Sequence, residues 1–153
     1  MNTEKTREYL KDIAELCIDG VQGYKDAAQK VDTPHLRTLF TTFAKEREGI
    51  LNSINKELVS LGAPIVTEGR TDGTALGSIH KFWLDFKAAL SSDNSESILE
   101  ECKRGEKYIL DKMDDVLKHK TEMPISSIQV LQDARYTIWK RMETIEHAEE
   151  AQS

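Results

Sequence analysis

Apolar residues recur at steps of three and four along most of this chain, the spacing that lines one face of an α-helix. The segment 98–117 shows the pattern most clearly, and its apolar row consists of Leu99, Cys102, Ile109, Met113 and Leu117. Glu106 falls in the same row, at a position where a leucine would be expected. The sequence therefore predicts a helix that carries a carboxylate within its apolar stripe.

The same periodicity and the turn signals between periodic segments predict five helices. Asp32, Thr33 and Pro34 form a break and a restart, and Gly62 follows the second helix as a candidate C-cap. Residues 62–74 are rich in glycine and turn formers and are predicted to be a loop. The predicted helices span about 3–31, 34–61, 75–90, 95–119 and 124–148.

No strand pattern and no internal repeat competes with these helices. The 153 residues are predicted to form one domain. Short turns join the first two helices and the last two helices, so each pair should be antiparallel. The residues between the pairs are numerous enough for a long crossover. The predicted fold class is all-α, a ferritin-like antiparallel four-helix bundle whose long crossover carries a short extra helix.

The first helix contains two glycines and a cysteine in its apolar row. Gly20 and Gly23 each cost about 1 kcal/mol inside a helix, so they indicate close packing of a neighbour or space for a large ring. Asp19 is predicted to lie beside the seam, on a face exposed to water. Cys17 and Cys102 both lie in apolar rows, which favours two buried thiols over the alternative of a disulfide or redox pair.

Polar residues interrupt the apolar rows at similar heights. Folding the last two helices about their turn places Glu106 opposite Arg135. Folding the first two places Glu46 and Arg47 opposite Asp19. We therefore expect a central polar network formed by Glu46, Arg47, Glu106 and Arg135. Two carboxylates and two guanidiniums would form a neutral hydrogen-bonded set, as buried charges require. The alternatives are a metal site at this height and side chains that reach solvent at a seam edge.

The histidines do not match a ferritin-like metal site. Such bundles bind two irons through a Glu on each of two helices and a Glu-x-x-His on each of the other two. None of the four histidines, His35, His80, His119 and His147, has a glutamate three residues before it. We expect no cofactor and no metal. Should iron bind, the candidate ligands are Glu46, Glu101 and Glu106.

Composition and missing motifs exclude several other functions. A formal net charge of −6 argues against nucleic acid as a partner. No apolar run reaches the roughly 18 residues of a membrane span, and the polar N-terminal segment does not resemble a signal peptide, so we expect no membrane partner and a cytoplasmic location. A glycine-rich phosphate loop and a Gly-x-Ser-x-Gly nucleophile motif are both missing, and we assign no catalytic residue.

Four segments carry a resemblance to a known family: 19–28 (DGVQGYKDAA), the Leu-Phe…Ala-Lys-Glu-Arg run that ends at Arg47, 79–83 (IHKFW) and 98–106 (ILEECKRGE). They resemble the bacterial ferritin-like four-helix-bundle family, which is known mainly as a domain of unknown function and is distantly rubrerythrin-like. The resemblance implies the bundle with its crossover helix and implies no established activity or cofactor. In that family the last helix often carries a histidine seven residues after a glutamine. Counting from Gln132, that position is Trp139 here.

Three functional hypotheses follow. The favoured one is a ferritin-like bundle without enzymatic activity, either stress-associated or partner-binding. The alternative from the enzyme class is a divergent di-iron or iron-binding oxidoreductase that uses the mid-bundle carboxylates. The third is a homo-oligomer that associates through the crossover, because Ile65, Val66, Phe82 and Trp83 would exceed what one bundle can bury.

Overall fold

The computed structural model describes residues 2–69, 77–92 and 94–152, with the side chains of 77–80 and 152 excepted. Its five α-helices confirm the all-helical prediction, and no strand occurs among the described residues. One turn of 3₁₀-helix, Lys120–Glu122, precedes the last helix. The helices are α1 (Thr3–Lys30), α2 (Pro34–Ser60), α3 (Gly77–Ser92), α4 (Ser95–Leu117) and α5 (Ile125–Gln152).

The observed helix ends differ most from prediction after α4. This helix stops at Leu117, not near 119, because the chain turns there into the 3₁₀ segment. The last helix begins at Ile125, one residue after its predicted start, and continues past 148, since alanine, glutamate and glutamine propagate a helix well. The predicted start of the crossover helix near 75 lies outside the described residues.

Gly62 ends α2 as predicted. Its φ of +79° lies in the left-handed region, which a residue with a Cβ adopts only at a cost. Beyond it, the Ala63 N–H donates to the carbonyl of Leu58 at 2.9 Å and closes the end of the helix. Residues 63–69 then follow without regular secondary structure.

The four long helices lie antiparallel to their neighbours. The start of α1 meets the end of α2, where Arg7 Nε donates to the Leu61 carbonyl at 2.7 Å. Likewise α4 packs along α5, and the two pairs meet through contacts of α2 with α5 and of α1 with α4. Their apolar faces form one continuous buried core. At one end Glu57, on α2, accepts hydrogen bonds from the Ser126 and Ser127 hydroxyls, both at 2.7 Å, and ties the start of α5 to α2.

Two aromatic side chains of α3 pack on glycines of α1 and α4. The Trp83 ring covers Gly23 of α1 so closely that a Cβ there would lie 1.9 Å from Cζ3. The Phe82 ring covers Gly105 of α4, where a Cβ would lie 2.2 Å from Cζ. Of the two alternatives predicted for Gly20 and Gly23, space for a large ring is the one found at Gly23.

The prediction that the crossover carries more apolar side chains than one bundle can bury is wrong for Phe82 and Trp83. Phe82 is 7% exposed and Trp83 is 9% exposed, because the glycines let both rings reach the core. Of the four apolar residues named in that prediction, Ile65 alone stays largely exposed, at 55%. Homo-oligomerisation remains a prediction, but exposed Phe82 and Trp83 rings no longer support it. Among the described helices, none is both long and apolar enough to cross a membrane.

Candidate functional site

A buried carboxylate lies midway along α4. Glu106 is 2% exposed, and the Arg47 side chain from α2 reaches it across the core. Nη2 of Arg47 lies 2.7 Å from each Glu106 oxygen, and Arg47 itself is only 5% exposed. A buried carboxylate would be costly alone, but here a guanidinium supplies both opposite charge and hydrogen bonds. Of the four residues predicted to form a network, the structure brings these two together.

Tyr24 of α1 completes the group. Its hydroxyl donates to Glu106 Oε1 at 2.5 Å and lies 3.6 Å from Sγ of Cys102. The guanidinium carbon of Arg47 lies 5.8 Å from the centre of the Tyr24 ring, within range of a cation–π contact. We call Tyr24, Arg47 and Glu106 the core polar cluster. Three helices contribute one side chain each, so the cluster joins α1, α2 and α4.

Gly20 explains how Arg47 crosses the core. A Cβ at Gly20 would lie 2.9 Å from Nη1 and 3.2 Å from Cγ of Arg47. The Arg47 side chain therefore packs directly on the α1 backbone at Gly20, where a residue with a Cβ would leave too little room for it. The close packing expected at Gly20 is found, with an arginine as the neighbour.

The electrostatics of the cluster favour a neutral tyrosine and a charged arginine. Burial raises the pKa of the Tyr24 hydroxyl well above its usual value, and the neighbouring Cys102 and Glu106 raise it further. Burial alone would lower the pKa of the Arg47 guanidinium, but Glu106, Tyr24 and Cys17 together outweigh it and the pKa is raised. The Arg47 guanidinium and the Glu106 carboxylate therefore form a buried ion pair to which Tyr24 donates a hydrogen bond as a neutral hydroxyl.

Glu46 and Arg135 do not join this cluster, so the predicted four-residue network is wrong in these two members. Glu46 pairs with Arg141 of α5, with Oε1 2.6 Å from Nε and Oε2 2.7 Å from Nη2. Arg135 pairs with Asp114, Nε to Oδ1 at 2.5 Å. Folding a hairpin about its turn predicts only the height of a residue along the helices. The direction in which each side chain leaves its helix places Glu46 at the α2–α5 seam and Arg135 at the α4–α5 seam.

The three carboxylates named as possible iron ligands have three separate arginine partners. Glu101 forms a surface ion pair with Arg104, a side chain that also contacts Asp85 at 2.9 Å. Five residues separate Glu101 from Glu106, about 140° around the helix, so the two carboxylates leave α4 in different directions. Among the described residues, no group of three or more His, Cys, Asp or Glu side chains is arranged to hold a metal ion.

Asp19 is buried, contrary to the prediction of a solvent-facing position. It is 2% exposed because the crossover runs over it. A Cβ at Gly69 would lie 2.0 Å from Asp19 Oδ1, so the Gly69 backbone packs directly on the carboxylate. Helical periodicity cannot predict this cover, since it comes from a loop distant in sequence.

Both cysteines are free and fully buried, as the favoured interpretation of the sequence predicts. Burial raises the pKa of the Cys17 thiol to about 12. Burial and the nearby Glu106 also raise the pKa of Cys102. Neither thiol is an activated nucleophile, since reactivity requires the thiolate.

We expect the folded protein to react negligibly with Ellman's reagent at pH 8, because both thiols are protonated and shielded from solvent. In concentrated urea both should react fully, which serves as the control for thiol content. Fast stoichiometric reaction of the folded protein, at a rate independent of added urea, would show that a cysteine is accessible.

Comparison with known proteins identifies one family. Residues 5–119 match the model of a family described as a domain of unknown function (DUF2383). The matched range contains the whole core polar cluster and ends before α5. Comparison with curated proteins gives no match.

Proposed function

The chain belongs to the family described as a domain of unknown function (DUF2383), and on that premise we propose that it is a non-enzymatic, partner-binding ferritin-like four-helix bundle. In this proposal α1, α2, α4 and α5 form the bundle and α3 lies in the crossover. Their order and antiparallel contacts support it, since one long connection between two helical hairpins is the ferritin-like topology.

The observation that carries the proposal is the contact of Arg47 Nη2 with both Glu106 oxygens at 2.7 Å. Ferritin-like metal centres are built from inward-facing carboxylates at mid-bundle. The carboxylate at that height already has its counter-charge from a side chain of the same protein. A divalent cation would have to displace a guanidinium that is charged under all ordinary conditions, and the displaced Arg47 would lie beside the metal.

A bundle whose central charges neutralise each other has no group available for acid–base or nucleophilic chemistry there. Tyr24 is held in its protonated form, and both thiols are too. We therefore propose that the protein acts through contacts made by its surface, with the core polar cluster as a structural element. Such an ion pair aligns helices without necessarily adding stability.

Metal analysis tests this proposal against the iron-binding alternative. We expect protein from iron-supplemented cultures to contain substoichiometric iron, equally so in the wild type, Glu46→Ala and Glu101→Ala. Stoichiometric iron with the near-ultraviolet absorption of an oxo-bridged centre, lost in Glu46→Ala but kept in a surface control such as Glu122→Ala, would overturn it.

A further inference from the structure

The last helix carries an exposed stripe on the side opposite the core. Its buried side chains, which include Leu131, Ala134 and Ile138, face the rest of the bundle. On the outer side, exposed residues recur at alternating steps of three and four, which is the spacing of a coiled-coil seam. We call these residues the outer α5 stripe: Gln129, Gln132, Tyr136, Trp139, Glu143 and Glu146.

Two aromatic rings lie at the middle of this stripe. Tyr136 is 56% exposed and Trp139 is 45% exposed, and their ring centres are 6.2 Å apart. Both residue types are enriched in protein interfaces relative to the rest of the surface. The rings alone do not select an occupant, but the charges beside them do.

Two exposed charges of opposite sign, Asp133 and Lys140, flank the rings. Within the described part of the chain neither forms an ion pair: Asp133 accepts from the Gln129 amide at 3.0 Å, and Lys140 Nζ lies 5.7 Å from the centre of the Tyr136 ring. Seven residues separate the two charges, so both lie on the same side of the stripe, one towards each end of the aromatic pair. A surface with this arrangement is complementary in charge to a copy of itself turned by 180°.

We propose that the outer α5 stripe binds a second copy of this chain, with the two α5 helices antiparallel about a two-fold axis midway between Tyr136 and Trp139. The axis places Tyr136 of each copy against Trp139 of the other. It also brings Asp133 within about 3 Å, in height along the helices, of Lys140 of the second copy. Because a two-fold interface uses the same surface on both copies, this ion pair forms twice. The inference deepens the proposed partner-binding function and rests on it.

The rest of the stripe favours the antiparallel arrangement over a parallel one. About the same axis, Gln132 lies opposite Glu143 of the second copy, and the next pair of the stripe likewise joins an amide to a carboxylate. Arg135, which pairs with Asp114 of its own chain, lies on the other flank, away from Lys140. In a parallel pair each glutamate of the stripe would face itself, and Arg135 would lie beside Lys140 of the second copy. Such like-charge contacts disfavour that orientation.

Cysteine cross-linking of the full chain tests the orientation of the two helices. A mixture of Gln132→Cys and Glu143→Cys proteins should form a heterodimer with a short bismaleimide, identified by mass spectrometry, because the axis places these positions opposite each other. Each variant alone should cross-link no faster than a Lys11→Cys collision control on α1, since either position then lies about 16 Å in height from its own copy. The native thiols are buried and do not compete.

Two results of this experiment would overturn the inference. Fast cross-linking of Gln132→Cys or Glu143→Cys alone would show a parallel pair. A mixture that cross-links no faster than the Lys11→Cys control would show that no second copy binds to this stripe, and would leave it to a different protein.

A charge swap tests the paired ions. Sedimentation equilibrium of the wild type should show a weak, concentration-dependent dimer, because one helix per copy gives an interface at the small end of the stable range. Lys140→Glu should weaken dimerisation about tenfold, since both ion pairs become contacts between like charges. Asp133→Lys/Lys140→Asp should restore it, because the swap exchanges the two charges and keeps each pair.

The matched control is Lys11→Glu, which changes the net charge equally but lies on α1, and it should dimerise as the wild type does. Equal dimerisation of the wild type and Lys140→Glu, or no recovery in the charge swap, would overturn the inference. A failure here leaves the metal analysis unaffected, so the two proposals fail independently.

Discussion

Arg47→Leu should lower the free energy of unfolding by about 3–5 kcal/mol, one of the largest effects of any single substitution in this chain. Removal of the guanidinium leaves Glu106 buried at 2% exposure with only the Tyr24 hydroxyl as donor. An unpaired buried charge costs far more than a missing surface ion pair. Urea unfolding followed by far-ultraviolet circular dichroism measures the change.

The double variant Arg47→Leu/Glu106→Leu separates a charge effect from a packing effect. It should recover most of the stability lost in Arg47→Leu, because two apolar side chains of suitable volume replace a buried ion pair at little cost. The matched control is Arg141→Leu, which breaks the more exposed pair with Glu46, whose side chains are 33% (Arg141) and 25% (Glu46) exposed, and should cost about 1 kcal/mol. Equal losses in the single and double variants would contradict a buried, coupled pair.

Gly23→Ala should lower the free energy of unfolding by up to about 2 kcal/mol, although alanine is the better helix former. The new Cβ would lie 1.9 Å from Trp83 Cζ3, so the ring and α3 must shift. The ring has little freedom, because it packs edge-on against Tyr24 and Phe86. Overpacking of this kind costs about 1–3 kcal/mol, more than the gain of about 1 kcal/mol in helix propensity.

Gly49→Ala is the control for this substitution, since a Cβ at Gly49 meets no atom within 4 Å. Here the helix propensity acts alone, and the free energy of unfolding should rise by about 0.5–1 kcal/mol. In a Trp83→Leu background the penalty of Gly23→Ala should largely disappear. Stabilisation by Gly23→Ala in the wild-type background would show that the Trp83 ring does not sit on this glycine.

Helical periodicity predicts the elements of this fold but not the partners of its polar residues. The sequence shows Glu106 as a carboxylate inside an apolar row, and its burial follows from that position. Folding each hairpin about its turn predicts the height of Arg47 correctly, because the fold preserves position along the helix axis. It carries no information on rotation about the axis, so it does not predict the partners of Glu46 and Arg135.

Contacts that depend on the crossover were the hardest to predict. Gly23 indicated that a large ring would pack on α1, yet no sequence pattern shows that Trp83 supplies it. Tyr24 lies in the apolar row of the first helix, and a tyrosine there signals a hydroxyl that needs a partner. That signal could have linked it to Glu106. The burial of Asp19 depends on the path of a loop, which no periodicity encodes.

Because the Trp83 indole is buried where α3 packs on α1, its fluorescence is sensitive to that contact. Trp83 is 9% exposed against Gly23, whereas Trp139 is 45% exposed on α5. An aqueous quencher such as acrylamide reaches the second indole directly and the first only when α3 separates from α1. In a Trp139→Phe variant, the quenching rate therefore reports how often the crossover helix detaches while the four long helices remain folded.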